Sequence, residues 1–300
     1  MSFFSSVLHY GQSIFEGLKA YRFPDDNVGI FRLNDHAKRF KQSAQIMDMP
    51  ELEESHFVEC VEKFIKCCKD IIPREKGHSL YLRPLLFSND PLIKVSSGKK
   101  FKFVIMATVV GPYFTSGSKG SKILVNKQFV RAFPYGTGEA KTAANYALSL
   151  PALQYAQKNG FEQVLYLDAI TKTNIDELGG MNFFMLKDNV LITPKLNGTI
   201  LAGITRDTII NIAESLDLSF EERVLSLEEV ITEAGKHSLF ACGTAATVAP
   251  IIEIGVQESF GEEIKRYDFA AGDTVEKLRH NLQECQLGLS FLEKKWVTYI

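Results

Sequence analysis

Apolar residues along the chain recur at helical spacing in some stretches and at strand spacing in others, and the two kinds of stretch alternate. Behind Asn34 or Asp35, either of which can cap a helix, Ala37, Phe40, Ala44 and Met47 fall at helical intervals. HFVECVEKFIKCCKDII predicts a second helix, and SLYLRPLLF and FKFVIMATVV predict two strands. GPYFTSGSKGSK, rich in glycine, serine and lysine, reads as a hinge. Beyond it KILVNKQFV predicts a strand, and TAANYALSLPALQYAQKNG a helix interrupted at Pro151 and stopped at Gly160. VLYLD and NFFML have the pattern of short buried strands. GITRDTIINIAESL is an amphipathic helix, and TVEKLRHNLQECQLGLSF reads as the closing one. No repeat or low-complexity segment intervenes. The chain therefore reads as two α+β domains, residues 1–111 and 122–300, joined by a hinge loop at 112–121. A cleft between domains is the usual place for a cofactor.

Composition narrows the classes. The 300 residues are 45% hydrophobic, enough for one large domain or two moderate ones. A formal charge of −2 offers no basic surface for nucleic acid and no acidic tail. Cys60, Cys67, Cys68, Cys242 and Cys285 form an odd set without a CxxC pair, which argues for a reducing compartment rather than a disulfide framework. No apolar run reaches membrane-spanning length. The opening MSFFSSVLHYGQ lacks a signal peptide's basic and apolar regions, so a cytoplasmic protein is expected. Six scattered histidines have no metal-binding spacing, and no metal is expected. His9 reads as a structural hydrogen-bonding residue. Asn197-Gly198-Thr199 is a glycosylation sequon that a cytoplasmic protein would leave unused.

One segment suggests chemistry. In FPYGTGEAKTAANYALSL, Gly136 and Gly138 make a flexible approach to Lys141, which stands at the start of a predicted helix. The positive end of the helix dipole there favours a neutral amine, as a Schiff-base lysine needs. Lys141-Thr142 also ends a P-loop pattern, but Tyr135 and Ala140 occupy both glycine positions of that motif. On residue type alone, a solvated surface lysine remains open.

Six blocks in order, HYGQSIFEGLKAYR, SLYLRPLLF, EAKTAANYALSL, DELGGMNFF, LAGITRD and FACGTAA, resemble the branched-chain aminotransferases of fold type IV. The resemblance spans nearly the whole chain. It implies a two-domain α+β enzyme with pyridoxal 5′-phosphate at the domain interface, running ping-pong transfer between leucine, isoleucine or valine and 2-oxoglutarate. It casts Lys141 as the lysine that binds the cofactor and moves the α-proton. Tyr146 matches a tyrosine at the cofactor's phenolic oxygen, and Glu177 the carboxylate under the pyridine nitrogen. Arg39, Ile204, Thr205 and Thr244 match the phosphate site. For substrate, Thr244 and Ala245 match a carboxylate-binding turn helped by Tyr81. Arg83 matches the side-chain carboxylate's cation, with Tyr10 of a partner subunit beside it, while Phe15 and Tyr113 match apolar walls. A homodimer or larger homo-oligomer is implied. Taken singly, each residue has an ordinary alternative: Arg39 an exposed helix residue, Glu177 a solvated loop glutamate, Thr205 a plain cap, and Tyr146, Phe15, Tyr81 and Tyr113 core.

Three departures qualify the match. Members of the family carry several dozen residues before the HYGQ block, including a first strand of the small domain. Ala143-Ala144 replaces a usual glycine pair, adding two methyl groups. Ala246 and Ala249 stand where some members have a redox CxxC, so thiol regulation of that kind is not expected. Two alternatives stay open: a D-amino acid aminotransferase or aminodeoxychorismate lyase of the same fold, and an N-terminally truncated homologue that binds cofactor without turnover.

Overall fold

The computed structural model describes residues 1–111, 120–290 and 296–300. They group into two compact units, one of Met1–Pro112, Ala140–Ala144 and Gln283–Ile300, the other of Tyr113–Glu139 and Asn145–Leu282. Strands β1–β15 and helices α1–α7 are numbered in chain order. The units are not the contiguous blocks 1–111 and 122–300: two later segments return to the first. Ala140–Ala144 does so because Thr142 bridges to Ile14, and the C-terminal segment because its strand pairs with an early one. Tyr113 and most of the expected hinge lie outside the described residues.

The first unit is an antiparallel sheet covered on one face by helices. Its strands are β1 (Ser13–Phe15), β2 (Leu18–Arg22), β3 (Val28–Phe31), β4 (Ser79–Ser88), β5 (Phe101–Val110) and β15 (Val297–Tyr299). The long β4 pairs with β5 along one edge and with β1 and β2 in turn along the other; β3 and β15 complete the order. Because a strand alternates its faces, Leu80, Leu82 and Leu86 of β4 enter the core, and Tyr81 and Arg83 stand on the opposite face. Over the core face lie α2 (Leu33–Ile46) and α3 (Glu54–Cys68), and Phe40, Phe57 and Phe103 meet with ring centroids 5.1–6.0 Å apart. The short α1 (Ser6–Tyr10) precedes β1.

The second unit is built on β6 (Ser121–Asn126), β7 (Gln163–Leu167), β8 (Ile175–Leu178), β9 (Asn182–Lys187), β10 (Val190–Pro194), β11 (Ser219–Arg223), β12 (Ser238–Gly243), β13 (Thr247–Gln257) and β14 (Lys265–Asp268). Six of them form a ring: the path β9–β12–β13–β6–β7–β8 returns to β9 through Glu177 paired with Asn182. One face of each contributes to a single core, including Ile123, Val125, Leu165, Ile175, Phe183, Met185, Leu239, Ala241 and Ile251. On the other face Phe184 and Phe240 stack with centroids 4.9 Å apart, and Leu124, Val164 and Tyr166 pack with Ala152 and Ala156 of α4 (Ala143–Lys158). The remaining helices are α5 (Ile204–Ser215), α6 (Leu227–Thr232) and α7 (Asp273–Gln286). Among the described residues no helix is long and apolar enough to cross a membrane.

Four local expectations change. Helix α2 is not capped by Asn34 or Asp35; it starts after Arg32, which is left-handed at φ 56°, and Asp35 ion-pairs with that arginine at 2.5 Å. Helix α4 runs through Pro151 instead of breaking there. Strand β6 stops at Asn126, whose side chain accepts the Gln128 N–H at 2.8 Å and starts a turn. Helix α7 ends at Gln286, short of the predicted span.

Phe240→Ala leaves a cavity beneath a stacked partner. We expect a loss of about 3–5 kcal/mol, read from the denaturant midpoint.

Candidate active site

Lys141 lies two residues before α4, in the segment that belongs to the first unit. Both of its peptide groups are held. The Phe15 N–H donates to the Lys141 carbonyl at 3.0 Å, and the Lys141 N–H donates to Ser43 Oγ of α2 at 3.0 Å. Next to it, Thr142 Oγ1 donates to the Ser13 carbonyl at 2.7 Å. The Lys141 Nζ stands 4.9 Å from the centroid of the Phe15 ring, and the Arg83 guanidinium carbon 4.5 Å from the same centroid. Arg83 Nη2 donates to the Tyr81 hydroxyl at 2.9 Å, while its buried Nε has no hydrogen-bond partner among the described residues. A Cβ at position 17 would run into the Tyr81 hydroxyl, so any other residue there would displace that ring.

Beside Phe15, the carboxylate of Glu16 is completely buried. Arg39 grips it through Nε at 2.6 Å and Nη2 at 2.9 Å, and His36 Nδ1 approaches at 2.6 Å. Burial alone would push the Glu16 carboxyl up; Arg39 and His36 overrule it and hold the group well below the usual carboxylate range. Burial pulls His36 down, against the raising effect of Glu16, so the ring is neutral near pH 7. Arg39 is thus a buried side chain held in place, not an exposed helix residue.

In the second unit Glu177 is also buried, not solvated. Its Oε1 meets Arg131 Nη2 at 2.6 Å and accepts the Leu201 N–H at 3.0 Å; its Oε2 accepts from Asn182 Nδ2 at 2.9 Å. Arg131 is fixed further by the carbonyls of Gly138, at 2.9 Å, and Thr199. Helix α5 begins with Ile204 and Thr205, both buried, after Gly203, and no side chain caps it. A Cβ at Gly203 would strike Asn182 Oδ1, so the helix start is packed directly against the residue that bonds Glu177. Tyr146 is half-buried on α4. Thr244 is half-buried and Ala245 exposed in the turn between β12 and β13, which ends on Thr247 in the left-handed region at φ 60°.

The first unit thus brings together Lys141, Phe15, Tyr81 and Arg83, with Arg39 two links away through Glu16. Tyr10 is exposed at the end of α1, its ring near that of His9. His9 Nε2 is hydrogen-bonded to the Phe3 carbonyl at 2.8 Å. Sequence reasoning passed over Glu16, His36, Ser43, Arg131 and Asn182. A signal existed for three of them: His36 and Ser43 share a helix face with Arg39, and Glu16 sits among apolar residues.

The family described as amino-transferase class IV matches residues 13–254. The branched-chain-amino-acid aminotransferase 2 of Bacillus subtilis (strain 168) is 39% identical over 298 residues, covering 98% of this chain and 81% of that protein. This chain belongs to the class IV aminotransferases. Its fold is theirs as well. The branched-chain aminotransferase of the archaeon Thermoproteus uzoniensis, solved with norvaline, superposes with TM-score 0.82 at 26% identity, over 100% of this chain and 93% of that one. The branched-chain enzyme of Thermobaculum terrenum, solved in its PLP-bound holo-form, gives 0.79 at 27%, over 100% of this chain and 92% of that one. Like them, the aminotransferase is a pyridoxal-phosphate-dependent transaminase.

The aminotransferase's own residues fit that cofactor by the chemistry of their donors. In the first unit an amine (Lys141) suits an aldehyde and a held guanidinium (Arg39) suits a phosphate; in the second a buried carboxylate (Glu177) suits a protonated ring nitrogen and an uncapped helix start (α5) suits a phosphate dianion. Each is present among the described residues.

The Glu16 cluster sets an acid limit. Folding depresses both Glu16 and His36, so unfolding takes up protons as pH falls, and the stability they contribute is lost in that direction. Stability should decline below about pH 6.5 and more steeply below about pH 4.3. In Glu16→Gln the steeper part should flatten, and urea titrations across this range measure it.

Proposed function

We propose that this aminotransferase moves the amino group between leucine, isoleucine or valine and 2-oxoglutarate. The observation that carries this reading is the Phe15 ring, with the Lys141 amine 4.9 Å and the Arg83 guanidinium 4.5 Å from its centroid, and the Arg83 Nε buried and lacking a hydrogen-bond partner among the described residues. A site that must accept first an aliphatic side chain and then a carboxylate needs an apolar wall with one cation at its edge. Phe15 supplies the wall and Arg83 the cation.

Bound pyridoxal phosphate supplies an electron sink for the carbon that loses its proton. Around it the chain's own groups divide the work. Lys141 holds the cofactor and, once freed, takes the α-proton on Nζ and returns it. Glu177, its charge balanced by Arg131, keeps a proton on the ring nitrogen. Tyr146 donates to the phenolic oxygen. Arg39, with Ile204 and Thr205 at the start of α5 and Thr244, holds the phosphate. The turn at Thr244 and Ala245, with Tyr81, receives the α-carboxylate. Tyr10 from a partner subunit stands beside Arg83, and the working form is a cytoplasmic homodimer.

Turnover of leucine with 2-oxoglutarate, followed as glutamate, tests the reading. Lys141→Ala should lower it by at least about 10²-fold and remove the near-ultraviolet to blue band of the lysine-bound cofactor. Wild-type-like activity in that variant would overturn the assignment. Arg83→Ala should raise KM for 2-oxoglutarate about 10–100-fold and change KM for leucine far less, since a charged hydrogen bond is worth about 1.5–3 kcal/mol.

A further inference from the structure

The buried polar residues of α2 form a stripe. His36, Arg39 and Ser43 follow one another at three and four residues along one face, while Leu33, Ala37, Phe40 and Ala44 form the stripe that packs into the core. The first two polar residues are spent on Glu16. The third is not: Ser43, 1% exposed, turns its hydroxyl to the backbone of Lys141 and accepts its N–H at 3.0 Å. One turn of helix separates Ser43 from Arg39, a rise of about 6 Å.

We propose that Ser43 is a positioning residue for the transamination: it registers Lys141 against Arg39. This rests on the reading of Lys141 as the reacting amine and Arg39 as a phosphate anchor. A lysine side chain has four rotatable bonds, so its amine reaches a repeatable place only if the backbone beneath it is fixed. The β1 bond to the Lys141 carbonyl fixes one peptide group, and the Ser43 hydroxyl holds the other from the helix that carries Arg39. The spacing between anchor and amine is then set by a rigid helical turn instead of by a loop. An error of about 1 Å in such a placement can cost about 10²-fold in rate.

The test compares Ser43→Thr with Ser43→Val in the holoenzyme; the two differ only in the hydroxyl, so packing strain is common to both. Ser43→Ala serves as a smaller third variant. Losing the hydroxyl should speed hydrogen exchange at the Lys141 amide about fivefold or more, in the apo-protein as well as the holoenzyme. It should also lower kcat about 5–20-fold, leave KM for leucine within about twofold, and shift the pH midpoint of the lysine-bound cofactor's absorbance. Ser43→Thr should retain slow exchange and most of kcat. If the valine and threonine variants share one exchange rate and one kcat, the proposal is overturned, whatever their melting temperatures. Full activity in Lys141→Ala would instead overturn the underlying reading, an outcome that leaves the amide-exchange difference standing and is therefore recognisable.

Discussion

A carboxylate with no water around it governs the first unit. Glu16 is fully buried, and an ion of that kind is stable only when its charge is met by close partners. Arg39 meets it with an opposite charge and His36 with a hydrogen bond, and both stand on α2. The helix is therefore tied to the link between β1 and β2 by charge, as well as to the core by the apolar contacts of Phe40 and Ala44. One residue earlier, at the end of β1, the Phe15 N–H holds the Lys141 carbonyl. Charge compensation at Glu16 thereby fixes the surroundings of a lysine it does not touch.

The second unit repeats the device with different parts. Glu177 is buried against Arg131, and the guanidinium is itself pinned by the carbonyls of Gly138 and Thr199. Here the strands matter more than a helix. Glu177 and Asn182 are the pair at which the strand ring closes, so the carboxylate sits at the junction of two strand ends. Asn182 then reaches the start of α5 through the close approach that Gly203 permits. One asparagine consequently couples a carboxylate, a ring closure and a helix terminus.

How far was this written in the sequence? The long elements with a clean period were legible: β4 alternates leucines with Tyr81 and Arg83, and α2 and α3 carry apolar stripes. Strands such as β12 and β13 were not, because both faces are buried and no alternation survives. Pro151 misled because a helix can absorb one missing N–H without breaking. Among candidate chemical residues, Lys141 and Glu177 were singled out by ordered motif blocks rather than by local physics; Arg39, outside those blocks, looked locally like a surface residue. Arg131 left no trace, since its role depends on residues 46 positions away meeting it in the folded chain. Ser43 was hidden for a different reason. A serine inside a helix carries no chemical signature until a neighbouring N–H is known to point at it.

The edge of the first sheet carries one more implication. Strand β3 is flanked by β15, the Arg32 N–H donates to the Trp296 carbonyl at 2.6 Å, and the Ile300 N–H to that of Val28 at 2.9 Å. Every strand of the second unit lies in sequence between those partners. During synthesis the second unit has all its strands before β15 emerges, whereas β1–β5 wait with one edge unpaired. Pairings of such sequence separation form slowly, and an uncovered edge in the meantime invites association with other chains. The unit begun first is thus the one finished last.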